Sequence, residues 1–366
     1  MATGPSLRQL VEERRVLVCC GSGGVGKTTT AAVLALEAAR AGRRAVVVTI
    51  DPAKRLADAL GLEGLTGTPT QIVGEWPGEL WALMLDTKST FDALVTANAG
   101  SPEQGRRILD NRFYRNISGA LSGTQEYMAM EKLYELDQRR DFDLVVVDTP
   151  PTRNALDFID APRRLSRFLD HRLFRMITSP GRGIVRAVNV AAQTFLRTVA
   201  KVVGAEVIDD AVAFFQAFEG MEEGFRERAE AVRQLLSDDE TAFVLVASPR
   251  RDTIDEALYF AEKLGDAGIE VRALVVNRMH PTFGQGAPTV TQARAEELAG
   301  TALSGLYRNL ADFQRVASRE EEHLAGLADA VAPAAVVRVP FLPTDVHDLD
   351  GLTVLAGHLL PAEASN

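Results

Sequence analysis

The feature that most constrains this chain is a glycine-rich segment near its start, Gly21-Ser-Gly-Gly-Val-Gly-Lys-Thr28. It lies between an apolar run at 16–20 and a helix-like run at 29–40, so the local order is strand, loop, helix. Its spacing matches G-x-x-x-x-G-K-[ST] in full, which is the pattern of a phosphate-binding loop. In such a loop, backbone N–H groups wrap phosphate oxygens, and the following helix adds its positive N-terminal end. The sequence therefore predicts a nucleotide site here.

The individual loop residues have separate expected roles. Lys27 can reach the β- and γ-phosphates, and the Thr28 hydroxyl can ligate Mg²⁺. The expected ligands are ATP or ADP with Mg²⁺. The residues predicted to contact them from this segment are Gly21, Ser22, Gly23, Gly24, Val25, Gly26, Lys27, Thr28 and Thr29.

Composition narrows the class of protein. The chain has 366 residues and is 46% hydrophobic, which suffices for one large domain or two smaller ones. Its net charge of −10 argues against generic nucleic-acid binding. The start of the chain has no signal-peptide pattern, and no uncharged apolar run is long enough to span a bilayer. We therefore expect a cytoplasmic protein with no stable membrane insertion.

Cysteine and histidine usage gives no metal motif. The two cysteines, Cys19 and Cys20, are neighbours at the end of the first apolar run, and we expect both to be buried free thiols. The five histidines have no metal-ligand spacing, and no C-x-x-C motif occurs. We expect no zinc site.

Short apolar runs rich in Val, Leu and Ala recur along the chain, with helical patterns between most of them. The predicted strands are 16–20, 45–50, 81–85, 143–148, 242–247, 271–276 and 335–340. This alternation predicts an α/β fold with a mostly parallel sheet flanked by helices, of the P-loop NTPase type. Open sheets of this kind place ligands at the carboxyl ends of their strands.

Two stretches interrupt the alternation: 88–138 has a helical, polar pattern, and 153–237 has the spacing of amphipathic helices. We expect a single P-loop ATPase domain, 1–366, with a helical subdomain inserted from these two stretches. Charge is split along the second, because 163–205 holds nine basic and one acidic residue, whereas 206–240 holds eleven acidic and three basic ones. Two interpretations stay open: helices that cover the sheet with a solvated outer face, or a subdomain that meets a client, a partner or a membrane surface.

Aspartates follow two of the predicted strands. Asp51 comes after 45–50, where a carboxylate can orient or activate the water that attacks a γ-phosphate, or can simply begin a turn. Asp148 closes 143–148 in the usual Walker-B arrangement, which holds Mg²⁺ directly or through water. The Thr-Pro-Pro after it could act as a switch that senses the γ-phosphate. The predicted catalytic residues are Lys27, Asp51 and Asp148, and the predicted Mg²⁺ ligands are Thr28, Asp51 and Asp148.

Two further strand ends suggest a site for the base. Asn277 follows Val275-Val, and an Asn amide can pair with both the donor and acceptor edges of adenine, although a turn Asn is common there. Val339-Pro-Phe-Leu342 ends the last strand, and Pro340 and Phe341 could pack against the base.

These motifs in this order resemble the arsenite-pump ATPase (ArsA) family, which includes the ATPases that deliver tail-anchored membrane proteins. The resemblance covers nearly the whole chain. The family belongs to the deviant-Walker-A class. It implies an ATP-driven dimer in which Gly24, Lys27, Thr28 and Thr29 hold phosphate and Mg²⁺. It further implies that Asp51 positions the water and that Asp148 opens the second switch.

Three departures from the family pattern stand out. Ser22 occupies the position of the family's signature lysine, which reaches the partner's nucleotide across the dimer. Pro150 and the pair Arg153-Asn154 alter the switch sequence Asp-Thr-Ala-Pro-Thr-Gly-His. The arsenite-binding cysteines of the pump and the zinc-binding C-x-x-C of the tail-anchor carriers are both absent from the sequence.

Four functions therefore remain to be compared. The first is a Mg-ATP-dependent ATPase that works as a nucleotide-switched dimer and is coupled to a client or partner protein. The dimer would be a homodimer, or a heterodimer whose paralogous subunit keeps the lysine. The second is a nucleotide-binding regulatory subunit with little hydrolysis of its own. Less favoured are a membrane-surface ATPase and an arsenite or anion pump subunit.

Overall fold

The computed structural model describes residues 4–50, 55–117, 124–150, 216–284 and 286–361, together with positions 161, 206, 210, 213 and 214. Eight strands are present in these ranges: β1 (Val16–Gly21), β2 (Arg44–Thr49), β3 (Thr70–Ile72), β4 (Glu79–Met84), β5 (Leu144–Asp148), β6 (Thr241–Ala247), β7 (Val271–Met279) and β8 (Ala335–Pro340). Twelve helices accompany them: α1 (Leu7–Glu13), α2 (Lys27–Arg40), α3 (Arg55–Ala59), α4 (Thr87–Asn98), α5 (Pro102–Leu109), α6 (Arg112–Ile117), α7 (Thr124–Arg139), α8 (Glu222–Ser237), α9 (Arg251–Asp266), α10 (Pro288–Glu297), α11 (Ala302–Ala330) and α12 (Leu349–Leu359).

All eight strands form one sheet in the order β3-β4-β2-β5-β1-β6-β7-β8. Every neighbouring pair is parallel except β3 and β4. β1 lies between β5 and β6, so the glycine segment that follows it emerges near the middle of the sheet. The α/β fold with a mostly parallel sheet flanked by helices is thus confirmed.

The central strands are apolar throughout because both of their faces are covered. In β1, Leu17 and Cys19 pack into a core cluster shared with α1, α2 and α12. Val16 and Val18, on the opposite face, are also fully buried. A strand buried on both faces has no alternation of polar and apolar residues, which is why these strands were visible as continuous runs.

The edge strand β3 is a structural feature that the sequence did not predict. It has only three residues, and Thr70 and Gln71 are exposed, so it forms no apolar run. β7 also extends past its predicted end at 276, with a register shift against β8 between Val276 and Met279. That shift displaces the residues between them from regular pairing.

Contacts between Cα atoms divide the chain into two compact units. The first comprises Met1–Met84, Leu136–Leu156 and Ser237–Asn366, and it contains the sheet. The second comprises Leu85–Glu135 and Asp157–Leu236. The assignment of 88–138 and 153–237 to a helical subdomain of one ATPase domain stays a prediction, and most of 153–215 lies outside the described residues.

Within the second unit, a buried polar cluster joins α7 to α8. Glu131 is 3% exposed; its Oε1 accepts from the Tyr127 hydroxyl and its Oε2 from Arg228 Nε, each at 2.7 Å. The Arg228 guanidinium carbon also lies 4.2 Å from the centre of the Tyr134 ring. Burial raises the pKa of the Glu131 carboxyl even though both hydrogen bonds oppose it. The two hydrogen bonds therefore offset only part of the cost of burying this carboxylate, and the cation–π contact helps to hold Arg228 in place.

Within the part of the chain that the structure describes, no helix is both long enough and apolar enough to cross a bilayer.

Candidate functional site

The glycine segment forms the turn between β1 and α2. Gly21 has φ 148°, and a Cβ there would lie 2.0 Å from the carbonyl oxygen of Val246 on β6. Gly26 has φ 102°, and a Cβ there would lie 2.3 Å from the Asn277 side-chain nitrogen. Both positions favour glycine because the backbone is left-handed. At Gly21 the β6 backbone also leaves no space for a side chain, whereas at Gly26 the Asn277 side chain would have to move.

The first turn of α2 combines two sources of positive charge, the Lys27 side chain and the N-terminal end of the helix dipole. Lys27 is buried, and its Nζ donates to the Ser22 carbonyl oxygen at 2.8 Å. Among the described residues, no side chain caps this helix, since its N-cap residue is Gly26. The helix therefore presents backbone N–H groups and the positive end of its dipole beside Lys27. Such a helix start favours an anion such as phosphate.

Asp148 joins the loop to two strands. It is buried at the end of β5, and its Oδ2 accepts from Thr28 Oγ1 at 2.7 Å and from Thr49 Oγ1 at 3.0 Å. Neighbouring ligands of an octahedral Mg²⁺, each about 2.1 Å from the ion, lie roughly 3 Å apart. The Thr28 and Asp148 oxygens have nearly that separation, so the residues present fit Mg²⁺.

A Mg²⁺ ion in such a site takes its other ligands from phosphate and water. The described residues contain no group of three or more His, Cys, Asp or Glu side chains that could hold a metal by themselves. A nucleotide would therefore have to bring most of the coordination shell.

The end of β2 lies beside the end of β5, since the Ile50 N–H donates to the Asp148 carbonyl oxygen at 3.3 Å. Asp51, the next residue in the chain, is outside the described residues, as are 151–154 of the expected switch. Thr149, at the start of that switch, donates from its hydroxyl to the Cys19 carbonyl oxygen at 2.8 Å. The catalytic and metal-binding roles given to Asp51 stay predictions.

The irregular end of β7 contacts the glycine loop. Asn277 Nδ2 donates to the Val25 carbonyl oxygen at 2.9 Å, and its Oδ1 accepts from the Arg278 N–H at 2.9 Å. Arg278 has φ 63°, and its Nη1 donates to the Gly24 carbonyl oxygen at 3.1 Å. A non-glycine residue held in this left-handed region costs on the order of 1–3 kcal/mol, and such residues cluster at functional sites.

Phe341 lies at the strand end that the sequence predicts to contact the base, and it packs beside His280. Phe341 follows the last residue of β8 and is 60% exposed. Its ring faces that of His280, with the centroids 6.4 Å apart and the planes at 19°. The buried Glu320, on α11, accepts from the His280 N–H at 2.7 Å and lies 2.6 Å from its ring Nδ1. Sequence reasoning missed Arg278, His280 and Glu320 because no local motif marks them.

These elements surround an open cavity of about 610 Å³. Pockets for small ligands usually enclose about 300–1,000 Å³. The sequence-predicted residues that line it are Gly24, Gly26, Lys27, Thr28, Thr29, Asp148, Asn277, Pro340 and Phe341. Four loop residues lie outside the lining: Gly21, Ser22, Gly23 and Val25. Ser22 is buried, and its hydroxyl has no hydrogen-bond partner among the described residues.

The two cysteines are fully buried behind the loop. Cys20 Sγ lies 3.5 Å from the Val244 carbonyl oxygen. Burial raises the pKa of both thiols well above the ordinary value, with Asp148 adding to the effect at Cys19. Thiolates are the nucleophilic and metal-binding form of cysteine, so neither residue is suited to that chemistry.

A parallel sheet with a complete phosphate-binding loop after its central strand, and with an aspartate closing the adjacent strand, defines a P-loop ATPase. The family model described as "Anion-transporting ATPase" matches residues 14–301, and the chain belongs to this family. The family resemblance inferred from the motifs is therefore confirmed.

The individual relatives share about a quarter of their residues with this chain. The chain is 26% identical to ATPase GET3 of Malassezia globosa over 280 residues, which cover 76% of this chain and 77% of that protein. It is 25% identical to ATPase ARSA2 of Chlamydomonas reinhardtii over 352 residues, covering 94% and 90%. A match to ATPase asna-1 of Caenorhabditis elegans, at 28% identity, covers 44% of this chain and 50% of that protein.

The buried thiols give a test of the packing behind the loop. In the folded chain, Cys19 and Cys20 should not react with a maleimide at pH 7.5, whereas two thiols per chain should react in denaturant. A Ser318→Cys variant, altered at an exposed position, provides a reactive control. Comparable labelling rates for native and control thiols in the folded state would contradict the burial.

The same thiols have a pH consequence. Because their folded pKa is raised, folding favours the protonated form, and this stabilisation is complete below the unfolded value of about 8.5. It is lost as the pH rises above that value, since the unfolded chain then releases protons that the folded chain retains. The melting temperature should therefore fall between pH 8 and pH 10.

Proposed function

We propose that the chain binds Mg-ATP in the cavity at the end of β1, and that nucleotide binding and hydrolysis switch a dimer that acts on a client or partner protein. The observation that carries the proposal is the hydrogen bond from Thr28 to Asp148. It links the helix that follows the glycine loop to the residue from which the expected switch begins. A ligand that binds the Thr28 or the Asp148 oxygen therefore acts on both α2 and the start of the expected switch.

The residues of the loop have complementary tasks in this proposal. Lys27 and the first N–H groups of α2 bind the phosphates, and Thr28 and Asp148 hold Mg²⁺, the latter in part through water. Bound Mg²⁺ supplies charge neutralisation at the phosphate oxygens. Asp51 orients the attacking water.

The switch would start from the same contacts. In the structure, the Thr28 hydroxyl donates to Asp148, and Thr149 is tied to the Cys19 carbonyl oxygen. The Thr28 oxygen could ligate Mg²⁺ through a lone pair while its hydroxyl still donates to Asp148, so a bound metal would act on this same contact. The position of Asp148, and of the chain that follows it, then depends on the nucleotide.

The base would lie near Asn277, Pro340 and Phe341. The Asn277 amide already bonds the Val25 carbonyl oxygen and the Arg278 N–H, so contacts among the described residues leave one N–H and one lone pair for adenine. The exposed Phe341 ring offers an apolar face, which a purine can cover.

The dimer and its client are inferred from the family resemblance. The segments 88–138 and 153–237, which the sequence predicts to be helical, would form the surface that meets the client. Ser22 favours a heterodimer whose paralogous subunit carries the signature lysine, or a regulatory role with little hydrolysis. The buried, protonated thiols argue against arsenite as a ligand, because metalloids bind thiolates.

The deciding experiment is Mg-ATP turnover by the purified chain, with native mass and ATP affinity measured on the same samples. Turnover by a dimer supports the proposal as stated. Tight ATP binding with turnover only beside a paralogous subunit supports the heterodimer, and tight binding without turnover even there supports the regulatory role. Failure to bind ATP at all would contradict the proposed site.

Lys27→Ala should weaken ATP binding at least about 100-fold, because a buried charge-assisted contact to phosphate is lost. Isothermal calorimetry with ATP measures the effect. Lys263→Ala is the matched control, since Lys263 forms an exposed ion pair with Asp266 on α9. Equal ATP affinity of the Lys27→Ala variant and the wild type would remove the phosphate role.

Asp51→Asn should leave ATP affinity within a few-fold and slow hydrolysis by about 10²–10⁴, the usual contribution of a general base. Single-turnover hydrolysis, measured in the form that shows turnover, reports the change. Asp252→Asn, at an exposed aspartate on α9, controls for charge. Wild-type turnover in the Asp51→Asn variant would exclude Asp51 from catalysis.

A further inference from the structure

Hydrolysis of ATP needs positive charge at the phosphate being transferred. This loop lacks one of the two lysines that the family pattern has. Position 22 carries a neutral, buried serine. Lys27 is partly committed to its own loop through the Ser22 carbonyl oxygen. A second cation must therefore come from elsewhere, and in P-loop ATPases an arginine can supply it from the same chain or from a partner.

Arg278 is placed to do this. It lines the cavity beside the glycine loop, and its Nη1 lies 3.1 Å from the Gly24 carbonyl oxygen. Gly24 is in the middle of the loop, between Ser22 and the lysine at 27, so the guanidinium is beside the segment that wraps phosphate. The side chain belongs to β7, yet it reaches the loop that follows β1.

The backbone is shaped to direct this side chain. Arg278 has φ 63°, and its N–H is held by Asn277 Oδ1 at 2.9 Å. Asn277 in turn bonds the Val25 carbonyl oxygen. The register shift between β7 and β8 lies at the same place. An arginine in the left-handed region is uncommon, and here it is stabilised by contacts to the loop itself.

Most of the guanidinium remains available. An arginine has five N–H donors, and among the described residues the structure gives the Arg278 guanidinium one hydrogen bond and no ion pair. Arg338, also near the end of its strand, differs because its Nε and Nη2 both donate to the Glu321 carboxylate. Arg278 therefore retains the paired donors that match phosphate oxygens.

We propose that Arg278 is a catalytic residue that donates to the terminal phosphate oxygens of bound ATP in the same chain, supplying the positive charge that Ser22 lacks. This inference rests on the proposed ATP site. In the reaction, the bond between the γ-phosphorus and the β–γ bridging oxygen breaks while a bond from water to that phosphorus forms. The proton of water leaves through Asp51 or solvent. Arg278 stays protonated throughout and acts only by charge and hydrogen bonds.

The test separates a contact to the transferring phosphate from a merely structural bond to the loop. Mg-ADP mimics the product, and Mg-ADP with aluminium fluoride mimics the transferring phosphate. Calorimetric affinities for both are measured for the wild type, Arg278→Ala and Arg278→Lys. Arg315→Ala, on the exposed face of α11, is the matched control.

Arg278→Ala should bind Mg-ADP within about 3-fold of wild type and lose about 10²–10³-fold in affinity for the aluminium fluoride complex. Arg278→Lys should recover part of the loss, since it keeps the charge but not the fork. Equal loss of both affinities would assign Arg278 a structural role only and overturn the inference. The inference would also be overturned if Arg278→Ala bound the aluminium fluoride complex as tightly as the wild type does.

Two outcomes for the wild type are also decisive. A chain that binds Mg-ADP but does not trap aluminium fluoride lacks its own cation for the transferring phosphate, which overturns the inference and leaves the proposed nucleotide site intact. A chain that binds neither nucleotide complex contradicts the proposed function itself.

Discussion

The buried carboxylate of Asp148 is the point on which the site depends. The parallel register pairs Asp148 with Cys19 of β1 on one side and with Thr49 of β2 on the other. That register allows the Thr49 hydroxyl and the Thr28 hydroxyl to reach the same oxygen. A carboxylate removed from water is costly unless it is well hydrogen-bonded, so the two hydroxyls stabilise its position. The loop, the centre of the sheet and the expected switch are thereby connected.

The opposite side of the loop is held by β7 and β8. Asn277 and Arg278 bond consecutive loop carbonyl oxygens, those of Val25 and Gly24. These two bonds use carbonyl oxygens of the loop and none of its N–H groups, which are the groups that bind phosphate. Directly after β7, the bond of His280 to Glu320 connects the same strand end to α11. The glycine loop is thus fixed from both sides while its cavity face stays open.

Several parts of this arrangement could be predicted from the sequence. The loop motif, the central strands and Asp148 were all apparent because each depends on a short local pattern. Asn277, Pro340 and Phe341 were proposed from strand ends, and they do line the cavity. Their contacts to adenine stay predictions, as does the role of Asp51. The short edge strand β3 was missed because two of its three residues are exposed and no apolar run marks it.

By itself, the sequence determined the fold class and the phosphate-binding character of the site. Both follow from local preferences: glycines that permit left-handed backbone, and apolar runs that must be covered on two faces. Tertiary structure alone decided that Arg278, 254 residues away from Gly24, contacts the loop. It also decided that Glu320 orients His280. Such contacts arise from strand order and from a register shift, which are long-range pairings that no local spacing encodes.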